Sequence, residues 1–375
     1  MLNLDFTEEQ DMLRDMVCGV CEQLSPLEKV REMEDDADGI ARELWQQFGE
    51  LGVNGLMIAE EYGGSGMTMI EGVVIYEELG RSLAPVPHFV SCVLAAGALT
   101  TAGSDEQKSA LLPAIASGET IITPAWLEPG NGYSPKGVQL TAAVDGDDVV
   151  LNGSKMHVYF AQAADQLLVL ARTGDAPTDV DLFLVPTDTA GITLEQRMSI
   201  SSDTQYRVEF ADACVPVANR IGDAGTGWAT WDAVMHEAVI LASAQAMGGA
   251  DFALGITAEY SKDRKQFDKA LAEFQAISHD LADARTELDG GKLLVYEAAW
   301  AHSKGHDLAR LAPMAKLFTS KVYRDITAMA QQIFGGVGFT LDYDIQLYFR
   351  RAKQLQLSWW DTATCEERVA DQVLA

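Results

Sequence analysis

The chain has 375 residues, 48% hydrophobic and 8% aromatic, enough to bury a large core and divide into two or three domains and too apolar for a disordered chain. Its 27 Lys and Arg stand against 56 Asp and Glu, a formal net charge of −29. Such a field repels nucleic acid and anionic membrane surfaces, so a site for an anionic ligand must be locally positive.

The acids are spread along the chain, which favours a solvated acidic surface over an interaction tail. No apolar run approaches the roughly 18–20 residues of a membrane span. The first residues lack the basic and apolar regions of a secretory signal, so a cytoplasmic location is expected. Five scattered cysteines argue against a disulfide framework.

From Phe6 to about Ile115 the pattern is helical: Leu13, Val17, Val20 and Leu24, then Leu44, Phe48 and Leu51, recur at helical spacing. Thr7 followed by Glu8, Glu9 and Gln10 reads as a helix start with a capping box. Cys18-x-x-Cys21 has redox or zinc spacing but falls within this amphipathic pattern without a second pair, so packing is favoured and no metal is expected. Glu60 to Gly66 reads as a loop, and Pro85 and Pro87 break the next helix. From about Glu119 to Asp223, short β-prone runs begin at Gly137, Asp148, Gln166, Leu182 and Tyr206. Asp145-Gly146 and Asn152-Gly153 mark turns between them. A small sandwich or barrel is implied. Helices return after Gly227, over 238–261, 274–303 and 313–334. The expected fold is α+β and multidomain: a helical domain over 1–118, a central β-sandwich or barrel over 119–225, and a helical bundle of four helices over 226–375.

Two patches stand out, both read as lying inside helical patterns. One is Arg264-Lys265-Gln266-Phe267, followed by Phe274-Gln275-Ala276-Ile277. The other is Gln332-Ile333-Phe334-Gly335-Gly336-Val337-Gly338-Phe339. Each Gly lowers helix stability by roughly 1 kcal/mol relative to Ala, so this cluster argues for a close backbone approach to something. A diphosphate suits backbone N–H groups and a guanidinium. The structural alternatives are a Schellman-type glycine cap and a surface pairing of Arg264 with Asp263 or Asp268.

The helical, β, helical order and these patches resemble the acyl-CoA dehydrogenase flavoprotein family over essentially the whole chain. Asp5-Phe6-Thr7-Glu8-Glu9-Gln10 resembles the family's opening. Glu128-Pro129-Gly130 resembles its T-E-P segment, and Asn152-Gly153-Ser154-Lys155 its N-G-x-K hairpin. Val215-Pro216 with Ile221-Gly222 resembles the stretch before its third domain. The resemblance implies FAD, held non-covalently at a subunit interface. Arg264, Phe267, Gln275, Gln332, Gly335 and Gly336 would then approach the ADP half of a neighbour's FAD. Where the family reads K-x-W-I-T facing the flavin, this chain reads Lys155-Met156-His157-Val158-Tyr159, which places His157 and Tyr159 there.

Asp361, in Trp359-Trp360-Asp361-Thr362, falls where the family has its catalytic Glu, one methylene short, and is equally placed to cap the last helix. Glu237, beside His236, is the alternative base, one position off the register some members use. The family's substrate Asp and Arg on this helix are replaced by Glu237-Ala238-Val239. Cys365 reads as packing beside the site. The implied reaction is FAD-dependent α,β-dehydrogenation of an acyl-CoA thioester to a 2-enoyl-CoA, with electrons passing to an electron-transfer flavoprotein. Interface motifs kept while catalytic ones are diluted resemble the smaller subunit of heteromeric bacterial enzymes that act on bulky thioesters such as steroid side-chain CoA esters. A hetero- or homotetramer with a related chain is expected. Two alternatives stay open: a non-catalytic partner subunit completing a neighbour's FAD site, and a nitroalkane-oxidase-like flavoenzyme with an Asp base.

Overall fold

The structure, a computed structural model, describes residues 5–130 and 132–374. Helices come first: α1 (Glu8–Leu24), α2 (Leu27–Glu32), α3 (Arg42–Glu50), α4 (Met69–Ser82), α5 (Ala96–Ala102) and α6 (Asp105–Ser117). Strands follow: β1 (Ile122–Ala125), β2 (Thr141–Asp145), β3 (Asp148–Tyr159), β4 (Gln166–Arg172), β5 (Val180–Pro186), β6 (Ile192–Arg197), β7 (Gln205–Pro216) and β8 (Arg220–Ile221). Then come α7 (Gly227–Asp263), the short strands β9 (Lys265–Gln266) and β10 (Lys269–Ala270), and α8 (Gln275–Ser303), α9 (Leu311–Phe334), α10 (Ile345–Leu357) and α11 (Thr362–Leu374). The helical, β, helical order is the one expected. These elements form two compact units. One gathers the chain through Glu28, Thr68–Ala84 and everything from Val239 onward; the other gathers Lys29–Met67 and Pro85–Ala238.

In the second unit the strands form one sheet in the order β6-β7-β3-β2-β4-β5-β8, with β1 parallel to β4. Its core is the inward apolar face, including Val149, Leu151, Val169, Phe183, Val208 and Phe210. Gly146, at φ +65, makes the expected turn between β2 and β3. Asn152-Gly153 does not turn. It lies inside β3, where the register against β7 shifts between Leu151 and Gly153. Gly153 takes φ +140, and a Cβ there would meet Leu140 at 3.0 Å, so this Asn-Gly serves a bulge rather than a hairpin. The run expected to begin a strand at Gly137 opens with a 3-10 turn over Pro135–Gly137 instead, and pairing starts at Thr141; Pro135, lacking an N–H, suits a turn.

In the first unit α1 begins with the expected capping box: Gln10 N donates to Thr7 Oγ1 (3.3 Å) and Thr7 N to Gln10 Oε1 (2.9 Å). Glycines let α4 and α7 touch backbone to backbone. A Cβ at Gly80 would lie 1.9 Å from Gln245 O, and one at Gly248 would lie 1.8 Å from Glu77 O. Glu77, 5% exposed, is paired with Arg14 Nη2 (3.1 Å) and accepts from Tyr296 OH (2.6 Å). One window of α7 is long and apolar enough to cross a membrane, but 72% of it is buried inside the protein, so its apolarity serves the core.

Candidate active site

The Arg264 patch is not helical. α7 stops at Asp263, and β9 and β10 pair Gln266 with Lys269 and Lys265 with Ala270. The two turn residues, Phe267 and Asp268, have φ +53 and +63. Left-handed φ at both central positions makes the tight hairpin turn that matches strand twist, and it cannot continue a helix. The turn lifts Phe267 into solvent at 87% exposure, its ring edge-on to Phe274 with centroids 6.5 Å apart. Arg264 is exposed, and its side chain has no hydrogen bond or ion pair among the described residues. Its surface pairing with Asp263 or Asp268 is therefore not formed. Gln275, exposed, opens α8.

The Gly335 patch begins where α9 ends, and it forms a 3-10 turn over Gly335–Phe339 rather than more helix. Gly335 has φ +66 and ψ −142, a region essentially closed to side chains and different from the left-handed helical geometry of a Schellman cap. A Cβ at Gly335 or Gly336 would meet nothing within 4 Å, so open space lies beside the main chain. Gly338 differs: its Cβ would come 2.6 Å from Gln331 Oε1, so packing within the chain explains that glycine. Gln332 is exposed on the last turn.

The two patches are neighbours. Tyr260, near the end of α7, stacks on Phe334 at 4.1 Å and 15°. Tyr343 sits edge-on to Phe334 at 6.0 Å. An unpaired guanidinium, an exposed flat ring and an open glycine backbone thus gather at one end of the helical unit. They fit the diphosphate and the adenine face of a dinucleotide, and Lys265 and Lys269 add positive charge beside Arg264 on a strongly acidic chain.

His157 and Tyr159 lie in the sheet unit, at the end of β3. The register shifts between Lys155 and Val158, and His157 takes φ +55. Its Nδ1 faces Gln205 Oε1 at 2.8 Å. Gln205 Nε2 in turn donates to Asp203 Oδ2 at 2.9 Å, which fixes the amide and places the imidazole proton on Nδ1. Tyr159 pairs with Gln205, and its carbonyl accepts from Thr123 Oγ1 at 2.6 Å.

Beneath this strand end lies a lock that sequence reading missed. Lys155, fully buried, meets Glu128 Oε1 at 2.7 Å. Glu128 also accepts from the backbone N–H groups of Gln139 and Leu140, each at 2.9 Å. Burial pulls the Lys155 ammonium down to about 8, against the upward pull of Glu128. A Lys and a Glu so far apart in sequence carry no spacing signal; the T-E-P and N-G-x-K likenesses were the available clue.

Asp361 follows two buried tryptophans with left-handed backbone, Trp359 at φ +55 and Trp360 at φ +72. It is half-buried, and its Oδ1 accepts from Thr364 N at 2.9 Å, capping α11 as expected. Its other oxygen has no hydrogen-bond partner among the described residues. Arg368 lies 3.8 Å over the Trp360 ring. Glu237 is half-buried on α7, beside His236, whose Nδ1 donates to Asp232 O at 2.8 Å. It belongs to the other unit. Burial raises the thiols of Cys365 and Cys18 to about 11 and of Cys21 to about 12, so they stay protonated and make poor nucleophiles or metal ligands.

Comparison with known proteins gives this architecture a class. The models for the acyl-CoA dehydrogenase N-terminal, middle and C-terminal domains match residues 7–119, 124–213 and 225–358. The chain belongs to the acyl-CoA dehydrogenase family, whose members are FAD-dependent oxidoreductases acting on acyl-CoA. A probable acyl-CoA dehydrogenase of Bacillus subtilis, YngJ, is 32% identical over 365 residues, 95% of each chain. Butyryl-CoA dehydrogenase from Megasphaera elsdenii superposes with a TM-score of 0.93 at 27% identity, over 100% of both chains. A chain of the ChsE4-ChsE5 complex from Mycobacterium tuberculosis superposes with a TM-score of 0.90 at 27% identity, over 100% of this chain and 99% of that one.

Proposed function

We propose that this acyl-CoA dehydrogenase desaturates its thioester with Asp361 as the base. The carboxylate takes the α-proton of the acyl group, leaving a 2-enoyl-CoA. Bound FAD supplies the acceptor for the hydride from the β-carbon. The observation that carries this reading is the partner-free Asp361 oxygen, held half-buried beside Trp360 by the cap bond of the other oxygen, which leaves it free to meet a proton on a bound substrate. Arg264, Phe267, Gln275, Gln332, Gly335 and Gly336 would hold the ADP half of FAD, and His157 and Tyr159 would border the flavin. The likeness to a chain of a heteromeric complex supports a place in an oligomer with a related subunit, and electron-transfer flavoprotein would take the electrons. The domain limits we propose are 1–118, 119–225 and 226–375. Asp361→Asn should keep FAD and the helix cap, since Asn caps as well as Asp, while turnover falls by about a hundredfold or more. Normal turnover would rule Asp361 out.

A second reading rests on the same cap: a carboxylate committed to α11 needs no chemical role, and the chain would then complete a partner's FAD site without turning over substrate. Co-purification from the native host distinguishes the two. A related chain alongside this one, with Asp361→Asn harmless to the complex, would favour the non-catalytic role.

A further inference from the structure

The exposed ring of His157 rests on a buried side chain. Its Nδ1 meets Gln205 Oε1 at 2.8 Å, and Gln205, 5% exposed, donates its Nε2 to Asp203 Oδ2 at 2.9 Å and Oδ1 at 3.1 Å. Ser199 and Ser201 donate their hydroxyls to the same Oδ1, Ser201 at 2.5 Å. Three donors thus converge on one carboxylate. A carboxylate only accepts, so the Gln205 amide nitrogen must face Asp203 and its oxygen must face the ring. An amide oxygen also only accepts, so Nδ1 holds a proton whether the ring is neutral or charged, and one bond aims the ring in both states.

The loop that carries Asp203 and Gln205 is pinned in turn from a distant part of the chain. Asp35 to Gly39, between α2 and α3, lie along it as a strap. Asp35 N donates to Ser202 O at 3.0 Å, Thr204 Oγ1 to Asp36 O at 2.6 Å and Tyr206 OH to Ala37 O at 2.7 Å. Gln196, on β6, donates to Asp35 O and Asp36 O. Gly39 ends the strap at φ +64, where a Cβ would lie 2.0 Å from Thr204 Oγ1. The loop is therefore held on both sides of Asp203, at Ser202 and at Thr204, which keeps the carboxylate against Gln205.

We propose that Asp203 and Gln205 are positioning residues for the flavin-side imidazole: Asp203, held by the strap, orients the Gln205 amide, and the amide orients His157. The inference rests on the reading that His157 borders the flavin, and it adds the device that keeps the ring in one orientation. No proton passes through Asp203 or Gln205; they act by orientation alone.

The test reads the ring directly, by nitrogen-15 NMR of the FAD-loaded protein labelled at histidine. The His157 signals are those missing from His157→Gln, and at pH 8 they should report a proton on Nδ1. In Asp203→Asn the serines still donate to the side-chain oxygen, so the new amide nitrogen turns to Gln205, whose own amide must flip to accept from it. The His157 proton should then move to Nε2, although Asp203 does not bond to the ring. Gln205→Leu should lose the preference for Nδ1, and it decides the matter should Asp203→Asn not fold. An Nδ1 proton retained in both variants would overturn the proposal. FAD affinity gives a second readout. His157→Gln and Asp203→Asn should each weaken FAD binding roughly fivefold, and the double variant no more than either alone, because both act through one contact. Losses that multiply would sink the proposal. The failures are distinguishable: wild-type FAD affinity in His157→Gln removes the ring from the flavin side, whereas an unmoved proton in Asp203→Asn and Gln205→Leu sinks the positioning role alone.

Discussion

Replacing Glu128 by Gln probes the lock that supports β3. The change is nearly isosteric, but it strips the countercharge from Lys155, which is 0% exposed and 2.7 Å from the carboxylate. Removing one partner of a buried pair costs about 3–5 kcal/mol. Even with Glu128 in place, burial holds the Lys155 ammonium below its ordinary value, at about 8. Without Glu128 the lysine must fall further and become neutral near physiological pH.

The sign follows from proton counts. Between the folded and unfolded values of Lys155 the unfolded chain holds more protons, so stability rises with pH across that window. In Glu128→Gln the window opens below pH 8. The variant should therefore be most impaired at pH 6 and recover ground as pH rises. Calorimetric unfolding of wild type, Glu128→Gln, Lys155→Met and the double variant over pH 6–10 reads this directly. The double variant should lose less than the sum of the single losses, because no lone charge remains buried. A Glu128→Gln protein within about 1 kcal/mol of wild type at pH 6, with a parallel pH course, would refute the reasoning.

Two further outcomes follow from the glycines. Gly335→Ala should lose about 1–3 kcal/mol of stability through its backbone geometry and bind FAD more weakly; chemical denaturation and flavin titration measure the two effects. Gly80→Ala puts a methyl where Gln245 O stands and should cost about 3 kcal/mol or prevent folding, read from soluble yield and unfolding temperature.

Local chemistry made parts of this fold legible. The Thr7–Gln10 box is two reciprocal bonds within four residues, and apolar strands such as Gln166–Arg172 announce themselves by composition. The half-exposed strand Ile192–Arg197, alternating with Thr, Glu and Arg, does not. Asn152-Gly153 misleads because the pair that favours a hairpin turn also suits a bulge. The site divides in the same way. The Gly335 cluster drew attention because three glycines in four residues contradict a helix, and Arg264 and Phe267 because their motif resembles the family's. The Phe267-Asp268 turn was not legible, since Phe267 disfavours left-handed backbone although Asp268 tolerates it; the close of the hairpin, Leu271 N to Arg264 O at 2.9 Å, enforces it. Gln205, which meets the His157 ring, and Lys316, which donates to Leu355 O, act across gaps no local pattern encodes.

The central claim is that the ends of α7 and α9 hold the diphosphate end of FAD. Its most direct test is the FAD dissociation constant of purified Arg264→Gln against wild type, with circular dichroism to verify an unchanged fold. Loss of a charge-assisted contact worth about 1.5–3 kcal/mol predicts affinity weakened roughly ten- to a hundredfold. Equal affinity in a folded variant would contradict the assignment.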